Sequence, residues 1–152
     1  MKVYFTLFGI ACATIACATP DTKRDIAGFS YTADERLTHY VTEFLADCGN
    51  YLSESVCKPR IDLTVTVSKL PDNILGQCSV YEGRLRAIQL DDIVLNQYNE
   101  KAVIYHELYH CVLGKPHFDD ELDIMNTYEV DENTVRMYEN WSEYTKKVFT
   151  RE

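Results

Sequence analysis

The 152-residue chain is short of positive charge, of histidine and of anything repetitive. Lysine and arginine together number 15 against 24 aspartates and glutamates, a formal net charge of −9. A field of that sign repels polyanions, which argues against nucleic acid or an anionic membrane surface as a partner. No internal repeat, low-complexity tract or linker interrupts the chain, so one domain around one core is expected. No two cysteines stand in CxxC spacing, which counts against a cysteine-ligated zinc site. What remains is 46% apolar and 26% charged, ordinary for a packed globular chain.

The N-terminal stretch "MKVYFTLFGIACATIACATP" also lacks what a membrane anchor needs, being too short and too rich in Ala and Thr at its end. Lys2 followed by an uncharged run, small residues and Pro20 has the composition of a secretory signal, assigned to residues 1–18, with one domain over 19–152. Two processing sites compete. "TIAC" resembles a bacterial lipobox that would leave a lipidated Cys17, and "ACA" suits ordinary cleavage after Ala18. The protein is thus expected to be exported: periplasmic, a surface or outer-membrane lipoprotein, or secreted. Its only membrane contact would be the lipid of the first reading.

Export changes the meaning of the cysteines. Once Cys12 and Cys17 are set aside, Cys48, Cys57, Cys78 and Cys111 remain, an even number in an oxidising compartment. Three pairings are open. The favoured one joins Cys48 to Cys57 and Cys78 to Cys111; free buried thiols are the alternative.

Periodicity points to an α+β fold. "TADERLTHYVTEFLADC" carries a capping box at Thr32 and Glu35, then Leu37, Tyr40, Val41, Phe44 and Leu45 on one helical face. "RIDLTVTVSKL" alternates Ile61, Leu63, Val65 and Val67 with polar residues, as a half-buried strand does. "CSVYEGRLRAIQL" reads as two strands turning at Glu82-Gly83. "DDIVLNQYN" is short and irregular or helical. Asn99 is placed to cap a helix "EKAVIYHELYHCVL" that Gly114 and Pro116 end. "HFDDELDIMNTYE" is aperiodic. "VDENTVRMYENWSEYTKKVF" is expected to be one closing helix with a stripe of Val135, Tyr138, Trp141 or Ser142, Tyr144 and Val148.

Only four histidines are present, and three lie within "YHELYHCVLGKPH", residues 105–117. On a helix, His106 and His110 at i and i+4 leave the same face, their Cβ atoms roughly 5–6 Å apart, and can reach one metal ion. Zinc suits imidazole. Glu107 flanks them, where a carboxylate can take a proton from water at the metal. A third ligand is needed, and His117, beyond the Gly114 exit, is the first candidate. Asp119 or Asp120 in the loop and Glu129, Glu132 or Glu139 further on remain open as replacements. The acidic run Asp119, Asp120, Glu121 and Asp123 has no EF-hand spacing and reads as a solvated loop more readily than as a calcium site. His39 sits beside the apolar face of its helix and reads as a surface or partly packed residue.

HExxH followed by Gly, a third His and then "IMN" resembles the metzincin zinc endopeptidases. The likeness covers residues 106–125. It implies a compact core with a small mixed sheet, an active-site helix and a C-terminal helix. It implies Zn2+ on His106, His110 and His117, with Glu107 as general base and Met125 in a tight turn beneath the metal. It further implies a peptide or protein substrate extended along an edge strand, for which "GRLRAIQL" is the candidate. Tyr128 is placed where some metzincins support the oxyanion. The family pattern is broken at one point: Gly114 is four residues after His110 where three are usual, and one added helical residue turns the exit by ~100°. The exit must be rebuilt for His117 to reach the metal. The alternatives to an endopeptidase are a hydrolase of another amide, a non-catalytic zinc-binding module, and a structural envelope lipoprotein without metal.

Overall fold

A computed structural model describes residues 21–26, 28–118, 123–126 and 132–151. Residues 1–18, the expected leader, with Cys17, and Asp119, Asp120, Glu121, Tyr128 and Glu129, lie outside the described residues, as does the side chain of Glu132. The fold is α+β. In chain order the elements are β1 (Asp21–Ile26), β2 (Phe29–Ala33), a 3-10 turn (Glu35–Leu37), α1 (Thr38–Gly49) and α2 (Glu54–Cys57). Then come β3 (Asp62–Ser68), β4 (Gly76–Val80), β5 (Leu85–Asp91), a second 3-10 turn (Asp92–Val94), α3 (Glu100–Leu113), α4 (Glu132–Glu139) and α5 (Trp141–Thr150).

The five strands form one mixed sheet in the order β1-β2-β3-β5-β4. β3 follows the expected alternation, with Leu63 and Val65 buried and Thr64 exposed. It pairs parallel to β2 on one side and to β5 on the other. β4 returns antiparallel outside β5, through a turn in which Gly83 takes φ +72°. The edge is therefore β4, "GQCSV", and not "GRLRAIQL" as expected from sequence. A hairpin pattern does not say which of its strands meets a third, and the parallel pairing with β3 claims β5.

β2 was not anticipated. Phe29, Tyr31 and Ala33 are buried on alternate positions, so Thr32 belongs to a strand and forms no capping box. The cap is Asp34, whose carboxylate accepts from the Arg36 backbone N–H at 3.1 Å and pairs with the guanidinium at 2.8 Å. The face of α1 is as expected: Leu37, Val41 and Phe44 are buried, Tyr40 and Leu45 partly so. The closing helix is two helices. Asn140 leaves helical geometry at φ −128°, and its carbonyl accepts from Glu143 and Tyr144 as α5 restarts. The break exposes Val135, while Met137, Thr145, Val148 and Phe149 face the core.

Phe44 stands at the centre of that core, in ring contact with Tyr105 at 5.4 Å, Tyr109 at 5.1 Å and Phe149 at 5.4 Å. It thereby joins α1, α3 and α5. Two disulfides have the favoured connectivity. Cys48–Cys57 ties α1 to α2, and Cys78–Cys111 ties the edge strand β4 to α3. Such bonds belong to a chain that folds outside a reducing cytosol, in keeping with export. Among the described residues no helix is long and apolar enough to cross a membrane. Because Phe44 fills the junction of three helices, Phe44→Ala should cost about 3–5 kcal/mol of stability in urea unfolding; a loss under 1 kcal/mol would show that the junction is not the core.

Candidate metal centre

α3 is the central helix. Ala102, Val103, Ile104, Tyr105, Leu108, Tyr109, Cys111 and Val112 are all buried, so sheet and helices enclose it on most sides. Asn99 occupies its N-terminal boundary as expected, but its side chain makes no capping bond, and its Oδ1 is buried without a partner. At the other end Gly114 adopts φ +65°. Its N–H donates to the His110 carbonyl and the Lys115 N–H to the Tyr109 carbonyl, each at 3.1 Å. At this left-handed stop the chain reverses at once and brings His117 back over the helix.

The result is a convergence of three imidazoles. His106 Nε2 is 3.0 Å from His110 Nε2 and 3.1 Å from His117 Nε2, and the latter two are 2.9 Å apart. The outward nitrogens of the two helical rings are fixed from behind. His106 Nδ1 lies 2.7 Å from the Ile124 carbonyl and His110 Nδ1 lies 2.6 Å from the Lys115 carbonyl. A carbonyl only accepts, so both rings carry their proton on Nδ1 and present a lone pair at Nε2. Two such lone pairs cannot bond each other.

Protonation is a poor answer to this crowding. Burial drives the His106 pKa down to about 4; the Ile124 carbonyl opposes this, and the neighbouring histidines reinforce it. Burial also lowers His110. A cation that accepts lone pairs suits the geometry. Four-coordinate sites with metal–nitrogen bonds of about 2.0–2.1 Å have ligand edges of about 3.3 Å, and the three separations here are only slightly shorter. Among the described residues these histidines are the group able to hold a metal ion. Exposed Glu139 on α4 and exposed His39 on α1 do not join them.

Glu107 is not part of the ligand group and lies 5% exposed beneath the edge strand. Burial raises its pKa to about 7, with the backbone N–H of Cys78 opposing the shift. Gly76, the first residue of β4, makes that position available. A Cβ there would stand 2.9 Å from Glu107 Cγ and 3.0 Å from its Oε1. Met125 is fully buried in a tight turn, where the Asn126 N–H reaches the Asp123 carbonyl at 3.0 Å. Asp123 is not the solvated acid expected of that loop. Its carboxylate is buried, accepts from the Met125 N–H at 3.0 Å, and pairs with Arg151 at 3.0 Å and Lys147 at 3.4 Å.

No protein-family model, no curated protein and no solved structure matches the chain. The site's acid chemistry has a measurable consequence. A carboxyl whose folded pKa is raised from 4.5 to about 7 costs the fold nothing below pH 4.5 and destabilises it progressively as pH rises to about 7. In the metal-free protein Glu107→Gln should therefore gain stability relative to wild type at pH 8, by a few kcal/mol at most, and not at pH 4. Equal differences at both pH values, read from denaturant unfolding, would contradict the burial of an ionisable group.

Proposed function

We propose that the protein is an exported zinc-dependent endopeptidase, with His106, His110 and His117 as the zinc ligands and Glu107 as the general base. The observation that carries this reading is the convergence of three Nε2 atoms within 3.1 Å over the helix that also carries the buried Glu107 carboxyl, whose pKa burial raises to about 7. Three neutral nitrogens and a fourth open position are the pattern of catalytic zinc; a purely structural site is closed by four protein ligands. When bound, zinc supplies Lewis acidity, making water more acidic and polarising a carbonyl oxygen.

The chain's own residues do the remainder. Glu107, poised near neutrality, takes the proton of the attacking water at its carboxylate and delivers it to the departing amine nitrogen. Its hydrogen bond from Cys78 orients it below β4. Among the described residues β4 pairs only with β5, so its other edge offers backbone donors and acceptors to an extended peptide. Ile74 and Leu75 before the strand, and Val80 and Tyr81 at its far end, are exposed apolar residues that favour apolar substrate side chains. The resemblance to the metzincins supports the same assignment, with the turn at Met125 as the floor of the site. Release from the cell, or anchoring through lipid on Cys17, would follow from the leader expected over residues 1–18.

Cleavage of a diverse peptide library by the chain from residue 19 onward, with zinc supplied, tests the proposal. Wild type should cut and a chelator should abolish cutting. Glu107→Ala should lower the rate by about 10²–10⁴-fold while keeping its zinc, whereas His106→Ala should lose the zinc. Zinc retained with no peptide cut would count for a binding module instead, in which a buried Glu107 has no evident purpose.

A further inference from the structure

The carbonyls that orient His106 and His110 lie outside regular secondary structure, and, beyond the Lys115 N–H bond to the Tyr109 carbonyl, side chains hold their segments in place. The Ile124 carbonyl belongs to the turn over residues 123–126. That turn is organised by Asp123, whose carboxylate bonds the Met125 N–H and, from a site with 0% side-chain exposure, pairs with Arg151 and Lys147 at the end of α5. The Lys115 carbonyl, which holds His110, is followed along its own side chain to the same place: Lys115 Nζ donates to the Arg151 carbonyl. The Arg151 guanidinium also covers the Phe118 ring at 4.3 Å, and the Phe118 N–H bonds the Met125 carbonyl at 3.0 Å, one residue beyond His117. The two segments that carry or support the ligands, residues 115–118 and 123–126, therefore meet at one residue.

We propose that Arg151 is a positioning residue for the histidine centre, its guanidinium bracing His106 through Asp123 and Ile124, and its carbonyl bracing His110 through Lys115. The proposal rests on the metal-site reading above, and it goes beyond it by assigning separate arms to separate ligands. Without the guanidinium the buried Asp123 carboxylate keeps only the longer, single contact to Lys147 at 3.4 Å, a point charge that does not replace the directed guanidinium bond, so it rearranges towards Lys147 or takes up water. The turn then loses its register and Ile124 no longer fixes the ring. Ligand orientation by such outer partners typically changes metal affinity by about 10–100-fold.

The arms are separable. Arg151→Ala removes the guanidinium and leaves the backbone carbonyl to Lys115, and Lys115→Met removes the other arm. Imidazole proton–nitrogen NMR on the zinc-free protein reports the tautomer of each ring without any metal. Wild type should show His106 and His110 each as a single Nδ1–H form. Arg151→Ala should turn His106 into a tautomer mixture and spare His110, and Lys115→Met should do the reverse. Arg151→Lys should keep His106 fixed. Competition against a chromophoric chelator should show zinc affinity reduced about 10–100-fold in Arg151→Ala and Lys115→Met, with near-ultraviolet circular dichroism unchanged. Both rings remaining fixed in both variants, both rings loosening together in each, or affinities within twofold of wild type would overturn the proposal. A wild-type chain that binds no zinc would instead sink the metal reading, and the tautomer pattern alone would then decide the brace.

Discussion

Imidazole lone pairs held about 3 Å apart repel one another, and a folded chain keeps them there only if other contacts hold each ring in place. Much of this protein does that. The Nδ1 atoms of His106 and His110 are tied to main-chain carbonyls, so neither ring can turn its lone pair away without losing a hydrogen bond. Burial disfavours the protonated state that would otherwise relieve the conflict. The arrangement makes sense as a cation site, and the surrounding fold can be understood as the frame that keeps it ready.

That frame has a rigid side and an adjustable side. On the rigid side α3 is locked into aromatic packing with Phe44 and Phe149, and Cys111 is bonded to Cys78 on the edge strand. Glu107 lies on the same helix, one turn from the disulfide, and so is fixed both to the histidines and to the strand proposed to receive substrate. The close approach of Gly76 leaves no space for any side chain between the strand and the carboxyl. On the other side, His117 and the Ile124 carbonyl sit on irregular segments after the helix, and Asp123, Lys115 and Arg151 supply by side-chain contact what regular structure does not.

The local features were legible. His106, Glu107 and His110 at helical spacing, Gly114 as the stop and the alternation in β3 depend on neighbours in sequence, and the structure has them. The even set of cysteines limited the pairings to three, of which the compact one formed. Long-range choices were not legible. Thr32 followed by Glu35 imitates a helix start, yet Phe29 to Ala33 is claimed by β3 as a parallel neighbour. Nothing within the hairpin tells that β5 and not β4 will be interior. The break at Asn140 has no glycine or proline to announce it. Asp123 looked like one more acid in an acidic loop, because its partner Arg151 is 28 residues away and only folding brings them together. The exit after His110 shows both sides: Gly114 predicted a sharp reversal, but only three-dimensional geometry could show that the reversal lands His117 on the other two rings.

The central claim is that these three rings bind one metal ion together. X-ray absorption at the zinc edge, on protein loaded with one equivalent of zinc, tests it most directly. The account predicts three imidazole ligands, with nitrogens at about 2.0–2.1 Å and the outer-shell scattering of their rings, and one oxygen in the fourth position. A sulfur shell at about 2.3 Å, or a spectrum of zinc carrying only oxygen neighbours, would contradict it.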